Sequence, residues 1–525
     1  MKRMKKLVSV LLAAIMVMAM AVTASAATVT VPSDGILKDH TFTAYQVFSG
    51  REESGILSDV QWGSGIDSTA FLAALKADTT YGNLFTKCTD AAAVAKVLGD
   101  NNTNTALANV VAKLAYANKT GAGTELTSGE NTLADGYYLV VDTTENVAAG
   151  SAYNTALLQV VGNINITVKT DAPTVEKKVF EDDKYNQNGG YGTGYNDVAD
   201  YNMGDAVPFH LIGSVPDMSR YDTYKYVFHD TLSAGLTLNE DSIKVYVASD
   251  KAGTDKAEIT DWTKAVVGQS FTVSFTDLKT VSGVSQGKYI IVEYTATLNQ
   301  NAVVGLEGNP NVVYLEYSNK PDQSGTGDTD NTGNTPEDKV IVFTYELDTT
   351  KVDGQDNTKK LEGAEFKLHN ADNKWAIVNR ENKVTGWADK EEDGSTLISD
   401  ANGVFKVIGL DDGTYYLKET KAPTGYNLLS SEITVVITAT TTNGQTWTDG
   451  AASSALTNLA VTADGTAGTG NTNTGVAGIT VANNKGSTLP ETGGMGTTIF
   501  YVIGAILVIG AGVVLITRKR MSASK

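Results

Sequence analysis

The clearest chemical signal in this chain is a glutamate in phase with a tyrosine and a leucine, Tyr415-x-Leu417-x-Glu419. Alternate residues of an extended strand share one face, so a strand here points Glu419 the same way as two core-type side chains. Burial of a lone carboxylate is costly, so such an acid is expected to be protonated or paired. A neutral acid in a desolvated site can donate to a carbonyl oxygen and shuttle protons. Alternation alone equally fits a strand-end glutamate solvated past the sheet edge. The same phase recurs at Lys177 in Pro173-x-Val175-x-Lys177, Asp230 in Tyr226-x-Phe228-x-Asp230, Asn319 in Leu315-x-Tyr317-x-Asn319 and Asn483 in Ile479-x-Val481-x-Asn483. Lys178 and Asn484 fall on the opposite faces. Glu293, in phase with Ile291 but beside Tyr294, is the alternative acid to Asp230, which can also be read as a turn aspartate following a strand.

Conventional enzyme chemistry finds little support. The four histidines, His40, His210, His229 and His369, have no metal-ligand spacing, and no HExxH, GxSxG elbow or Walker loop occurs. Gly189–Gly194 lacks a strand-to-helix setting and reads as a loop, and Asp328-x-Asp330 lacks the acid that would complete a calcium loop. No metal or cofactor is expected. The single cysteine, Cys88, cannot form an internal disulfide, and its neighbourhood reads as an amphipathic helix, which predicts a buried structural thiol.

The elements that must position these residues are mostly strands. Short alternating runs such as Phe271–Phe275, Tyr289–Tyr294, Val312–Tyr317 and Ile433–Ile437 are spaced by Gly, Asn and Asp turns, which suggests tandem β-sandwiches. Residues Ser68–Asn118 differ: their alanine-rich segments have helical spacing, predicting a helical insertion in the first domain. The punctuation places an N-terminal domain at 27–170, a middle domain at 171–320, a linker at 321–339 and a C-terminal domain at 340–486.

Both ends carry addresses. Lys2, Arg3, Lys5 and Lys6 precede the apolar Leu7–Ala21 and the small Ala24-Ser25-Ala26, the pattern of a signal peptide over 1–26. At the other end stand Leu489-Pro490-Glu491-Thr492-Gly493, an apolar run predicting a transmembrane helix over 497–517, and a basic tail over 518–525 with Arg518-Lys519-Arg520. The net charge is −19, and removing four positive charges at each end takes it to −27. Such acidity argues against nucleic acid as a partner.

The pentapeptide, apolar span and basic stop together resemble the sorting signal of Gram-positive surface proteins, which implies that a sortase cleaves between Thr492 and Gly493 and transfers the threonine carbonyl to an amine. Tyr415-x-Leu417-x-Glu419-Thr420-x-Ala422-Pro423-x-Gly425-Tyr426 is similar to the E-box of sortase-assembled pilins and collagen-adhesin B-type domains. Thr350-Lys351-Val352-Asp353-Gly354 with Leu361-x-Gly363-Ala364-x-Phe366 resembles the opening strands of such a domain. The resemblance implies a mainly β chain of tandem immunoglobulin-like, collagen-adhesin B-type sandwiches with a C-terminal transmembrane helix. It implies autocatalytic Lys–Asn isopeptide bonds, made by triads Lys351, Glu419, Asn483 and Lys177, Asp230, Asn319, with no other enzyme activity. Val141 stands where the first domain's acid would be, so no such bond is expected before residue 170. Pilins of this family carry a Trp-x-x-x-Val-x-Val-Tyr-Pro-Lys acceptor motif. In Gly162–Lys169 the alternation and the lysine survive without Trp, Tyr and Pro, leaving Lys169 as the candidate intermolecular acceptor or an ordinary strand-end lysine. The implied function is the backbone subunit of a covalent, wall-anchored pilus whose partners are sortase, copies of itself and peptidoglycan. The alternative is a singly anchored adhesin or ancillary pilin that binds a host-surface ligand.

Overall fold

The computed structural model describes residues 26–33, 40–153, 155–160, 164–166, 171–182, 190–321, 332–442, 447, 450–486 and 495–522. It is mainly β, as expected, and among the described residues the helices lie in the first domain and at the C-terminal end, apart from short turns. In the first domain, strands Ala26–Val31, Gly129–Ala134 and Ile164–Asn165 form one sheet, and a second is centred on Phe42–Glu53 and Gly136–Asp142. The helical insertion lies between strands Ile56–Trp62 and Thr124–Leu126, as Ser68–Ala77, Gly82–Phe85, Ala91–Asp100 and Thr105–Ala117. Side chains of Asp67, Asp90 and Asn104 accept from first-turn amides and so cap three of these helices. Their apolar faces close over Phe48, Tyr137 and Leu139.

Cys88 joins that core at 2% exposure, and burial pushes its thiol up. The folded protein is therefore expected to resist a thiol-specific reagent and to react fully once denatured; ready reaction of the native chain would contradict this placement.

The middle domain stacks two seven-stranded sheets. In one, Val175–Phe180, Ala206–Ser214, Tyr289–Leu298 and Lys244–Ala248 follow in order; in the other, Asp338–Phe343, Asn309–Ser318, Tyr226–Leu232 and Ser270–Phe275. The expected linker is shorter here. Thr332–Asn334 and Asp338–Phe343 both pair with Asn309–Ser318. The reason is the apolar run Val340–Phe343, every residue of which is buried against the sandwich. Residues 322–331 of that linker, with Asp328-x-Asp330, lie outside the described residues.

The C-terminal domain starts at strand Tyr345–Asp353, which pairs in parallel with the closing strand Val476–Asn483; Lys351 lies opposite Val481, and Asp353 opposite Asn483. The facing sheet holds Glu365–Asn370, Gly413–Lys421, Ile433–Thr441 and Leu456–Ala463 side by side. Beyond it, Thr498–Ser522 of helix Met495–Ser522 holds an 18-residue stretch with a mean hydropathy of 2.8 and is the one helix, among the described residues, long and apolar enough to cross a membrane.

Candidate functional sites between the sheets

In the C-terminal domain the structure brings together Lys351, Glu419 and Asn483, with the side chains of Lys351 and Glu419 wholly buried and Asn483 inaccessible. Alternation is the cause: odd-numbered residues of Tyr415–Glu419 and Ile479–Asn483 face inward, and Asn484 faces out. Glu419 Oε1 lies 3.7 Å from Lys351 Nζ, and Oε2 accepts from Asn483 Nδ2 at 2.8 Å. The backbone of Asn427–Leu429 closes the site. Leu429 N donates to Glu419 Oε2 at 2.8 Å, and Asn427 O accepts from Asn483 Nδ2 at 2.5 Å. Sequence reasoning missed these backbone groups, because strand phase says nothing of a loop returning over the site. Lys351 Nζ also lies 5.8 Å from the Phe366 ring. Burial pushes the lysine ammonium down to about 8, against the opposing pull of Glu419. Asn483 Oδ1 is buried without a hydrogen-bond partner, as is Glu419 Oε1.

The middle domain holds a second cluster. Lys177, on one sheet, pairs with Asp230 on the other, both side chains at 0% exposure. Lys177 Nζ also donates to Tyr294 Oη at 3.0 Å, Tyr294 Oη donates to Asp230 Oδ1 at 3.1 Å, and Asn311 Nδ2 donates to Tyr294 Oη at 2.7 Å. Burial pushes the Lys177 ammonium down and the Asp230 carboxyl up, so each partner is driven toward its neutral form. Asn311 is fully buried and its Oδ1 lacks a partner.

Asn319 is not the carboxamide at this site. It lies eight residues beyond Asn311 on the same strand line, roughly 26 Å away at strand rise. It is buried instead where the first domain docks, its backbone carbonyl accepting from Tyr153 N at 2.8 Å. Glu293 is also absent from the cluster. It faces the other side of its strand, where His210 and Lys256 hold its carboxyl down to about 2. Lys178 points away from Lys177 and pairs with Asp197.

Val141 is buried among apolar side chains in the first domain's core. Each histidine rests beside a carboxylate: His40 by Asp142, His210 by Glu293, His229 by Glu316 and His369 by Glu432. Among the described residues, Asp200, Asp411 and Asp412 bring carboxylate oxygens within 4.8 Å of one another, and each already interacts within the protein. Lys169 and Leu489–Gly493 lie outside the described residues.

Comparison with known proteins agrees with this architecture. Residues 203–321 match the Gram-positive pilin backbone subunit 2, Cna-B-like domain; 345–451 match a prealbumin-like fold domain; and 481–522 match the LPXTG cell wall anchor motif. The trypsin-resistant surface T6 protein of Streptococcus pyogenes is 29% identical over 240 residues, 43% of this chain and 40% of that protein, so the match spans less than half of the relative. The solved T6 backbone pilin of serotype M6 S. pyogenes superposes with a TM-score of 0.51 at 19% identity, covering 88% of this chain and 98% of that one, which shows the shared fold. The full-length major pilin SpaD of Corynebacterium diphtheriae gives 0.46 at 16% identity, with 88% and 98% covered. The anchor motif and apolar helix make the chain a cell-wall-anchored surface protein with a transient membrane anchor. The chain thus carries, in order, a Gram-positive pilin backbone domain, a prealbumin-like fold domain and an LPXTG cell wall anchor.

Proposed function

We propose that this chain is the structural backbone subunit of a covalently polymerised, wall-anchored pilus. Its two sandwiches are stiffened from within by Lys351–Asn483 and Lys177–Asn311 amide bonds, and a sortase joins it to its neighbours through Thr492. The observation that carries the reading is the pair of buried clusters, each uniting an amine, a carboxyl and a carboxamide between two sheets.

In the C-terminal cluster the chemistry follows from burial. Passing the ammonium proton of Lys351 to Glu419 leaves a neutral nucleophile and an acid able to donate to the amide oxygen. Nζ then attacks Asn483 Cγ, and Nδ2 leaves as ammonia once it has received the proton shed by Nζ. Because first and last strands run in parallel, pulling on the domain shears them, and a covalent bond between them stops the slip. Bond formation is expected to hold level up to about pH 8 and to fall above it, since neutral amine and protonated Glu419 share one proton that the site gives up as the Lys351 ammonium titrates near that value. Intact mass followed over time in buffers of different pH checks this; a rate that keeps climbing above pH 8 would contradict it.

Polymerisation requires an amine on a neighbouring chain, and Lys169 is the proposed acceptor, with peptidoglycan as the terminal one. Co-expression with the partner sortase is expected to give covalent ladders that vanish with Lys169→Ala or Thr492→Ala. Monomer alone would overturn the polymer and favour a singly attached adhesin or ancillary pilin.

A further inference from the structure

The two clusters differ in one group. Glu419 and Asn483 are met by Lys351 and backbone atoms, whereas Tyr294 stands at the centre of the middle-domain cluster. Its ring is fixed by stacking on Phe209 at 5.3 Å and by an edge contact with Phe271 at 4.9 Å. Its oxygen lies 3.0 Å from the Lys177 amine, 2.7 Å from the Asn311 amide nitrogen and 3.1 Å from Asp230 Oδ1. One hydroxyl therefore touches the nucleophile, the leaving nitrogen and the acid. Burial, reinforced by the Asp230 charge, holds that hydroxyl far above the usual phenol range, so it keeps its proton.

We propose that Tyr294 is a catalytic residue of the middle domain, relaying a proton from the attacking amine of Lys177 to the departing nitrogen of Asn311. The proposal rests on the reading that these two side chains become joined. The Lys177 ammonium first gives a proton to Asp230, leaving amine and carboxylic acid. The Nζ–Cγ bond forms as the carbonyl pair moves onto Asn311 Oδ1. Nδ2 thereby changes from a planar amide donor to a basic amine, and the hydroxyl that accepted from it now donates. Tyr294 delivers its own proton to Nδ2 while its oxygen takes one from Nζ. The Cγ–Nδ2 bond then breaks, the carbonyl re-forms, ammonia leaves and tyrosine is restored. Amine and carboxamide become amide and ammonia, with no oxidant or co-reactant. The contacts divide the labour: Asp230 takes the proton of the Lys177 ammonium, and Tyr294 spans the two nitrogens.

Tyr294→Phe in the full chain tests this by intact mass over time. The expected result is that the C-terminal ammonia loss is complete while the middle-domain loss is slowed at least about 100-fold, the usual scale for removing a positioned proton-transfer group. Phe275→Leu, which loosens the same core where its ring packs on Tyr226, is expected to form the bond at close to the wild-type rate. Wild-type speed in Tyr294→Phe, beside a wild type showing both losses, would overturn the relay alone. A wild type lacking the middle-domain loss would overturn the reading beneath it. Should Tyr294→Phe lose its middle-domain thermal transition, cell-free synthesis of the wild type in mixtures of light and heavy water decides. A rate curved in deuterium fraction, marking two protons in flight, supports the relay, and a linear one overturns it.

Discussion

Glu419→Gln is expected to leave the C-terminal domain folded but unlinked, one ammonia heavier than the cross-linked product of the same sequence would be. Two effects then add. A cross-link between Lys351 and Asn483 closes a loop of roughly 130 residues, and losing that constraint on the unfolded chain costs about 5 kcal/mol on the loop-entropy scale established for disulfides. Glutamine also leaves the Lys351 amine buried without an acid, and breaking a buried pair from one side costs about 3–5 kcal/mol. Asn483→Ala should show the first effect while keeping the Lys351–Glu419 pair, so the glutamine variant is expected to melt lower than the alanine variant. Differential scanning calorimetry with intact mass checks both. Equal melting temperatures for wild type and Glu419→Gln, with ammonia still lost, would remove Glu419 from the mechanism.

The second large effect separates two asparagines. Asn311→Ala is expected to abolish the middle-domain ammonia loss and lower that domain's melting temperature by about 10–20 °C, the shift expected when a domain of this size loses about 5 kcal/mol. It leaves Lys177, Asp230 and Tyr294 hydrogen-bonded to one another, so little else is lost. Asn319→Ala should keep the full ammonia loss, and it also keeps the backbone carbonyl that meets Tyr153 N at the joint with the first domain. The same mass measurement reads both variants. Loss of the bond in Asn319→Ala but not in Asn311→Ala would contradict the geometry.

That pair of asparagines also marks how far sequence reaches. Strand phase placed Lys351, Glu419, Asn483, Lys177 and Asp230 on inward faces, and the structure finds all five buried. Phase does not fix position along a strand. Asn309, Asn311 and Asn319 all lie on the same buried alternation as Val313, Leu315 and Tyr317. Choosing among them requires knowing which point of that strand faces Lys177 across the sandwich, an offset set by the packing of two sheets and not by either strand alone. Tyr294 escaped for a related reason. Its strand buries both faces, Ile290 and Val292 in the main core and Ile291 in a small outer cluster with Ile212, so Glu293 and Tyr294 have equal claim from periodicity. The linker was overextended because turn-rich residues mask where the apolar Val340–Phe343 resumes pairing. The helical insertion was legible from its alanine-rich spacing, to which the structure adds three capping side chains.

The account stands most directly on the covalent state of the folded chain. Intact mass of the purified protein, followed by fragment mapping of its cross-linked peptides, is predicted to show two ammonia losses, one joining Lys351 to Asn483 and the other Lys177 to Asn311. A chain at its full sequence mass, with all four residues recovered in unlinked peptides, would contradict it.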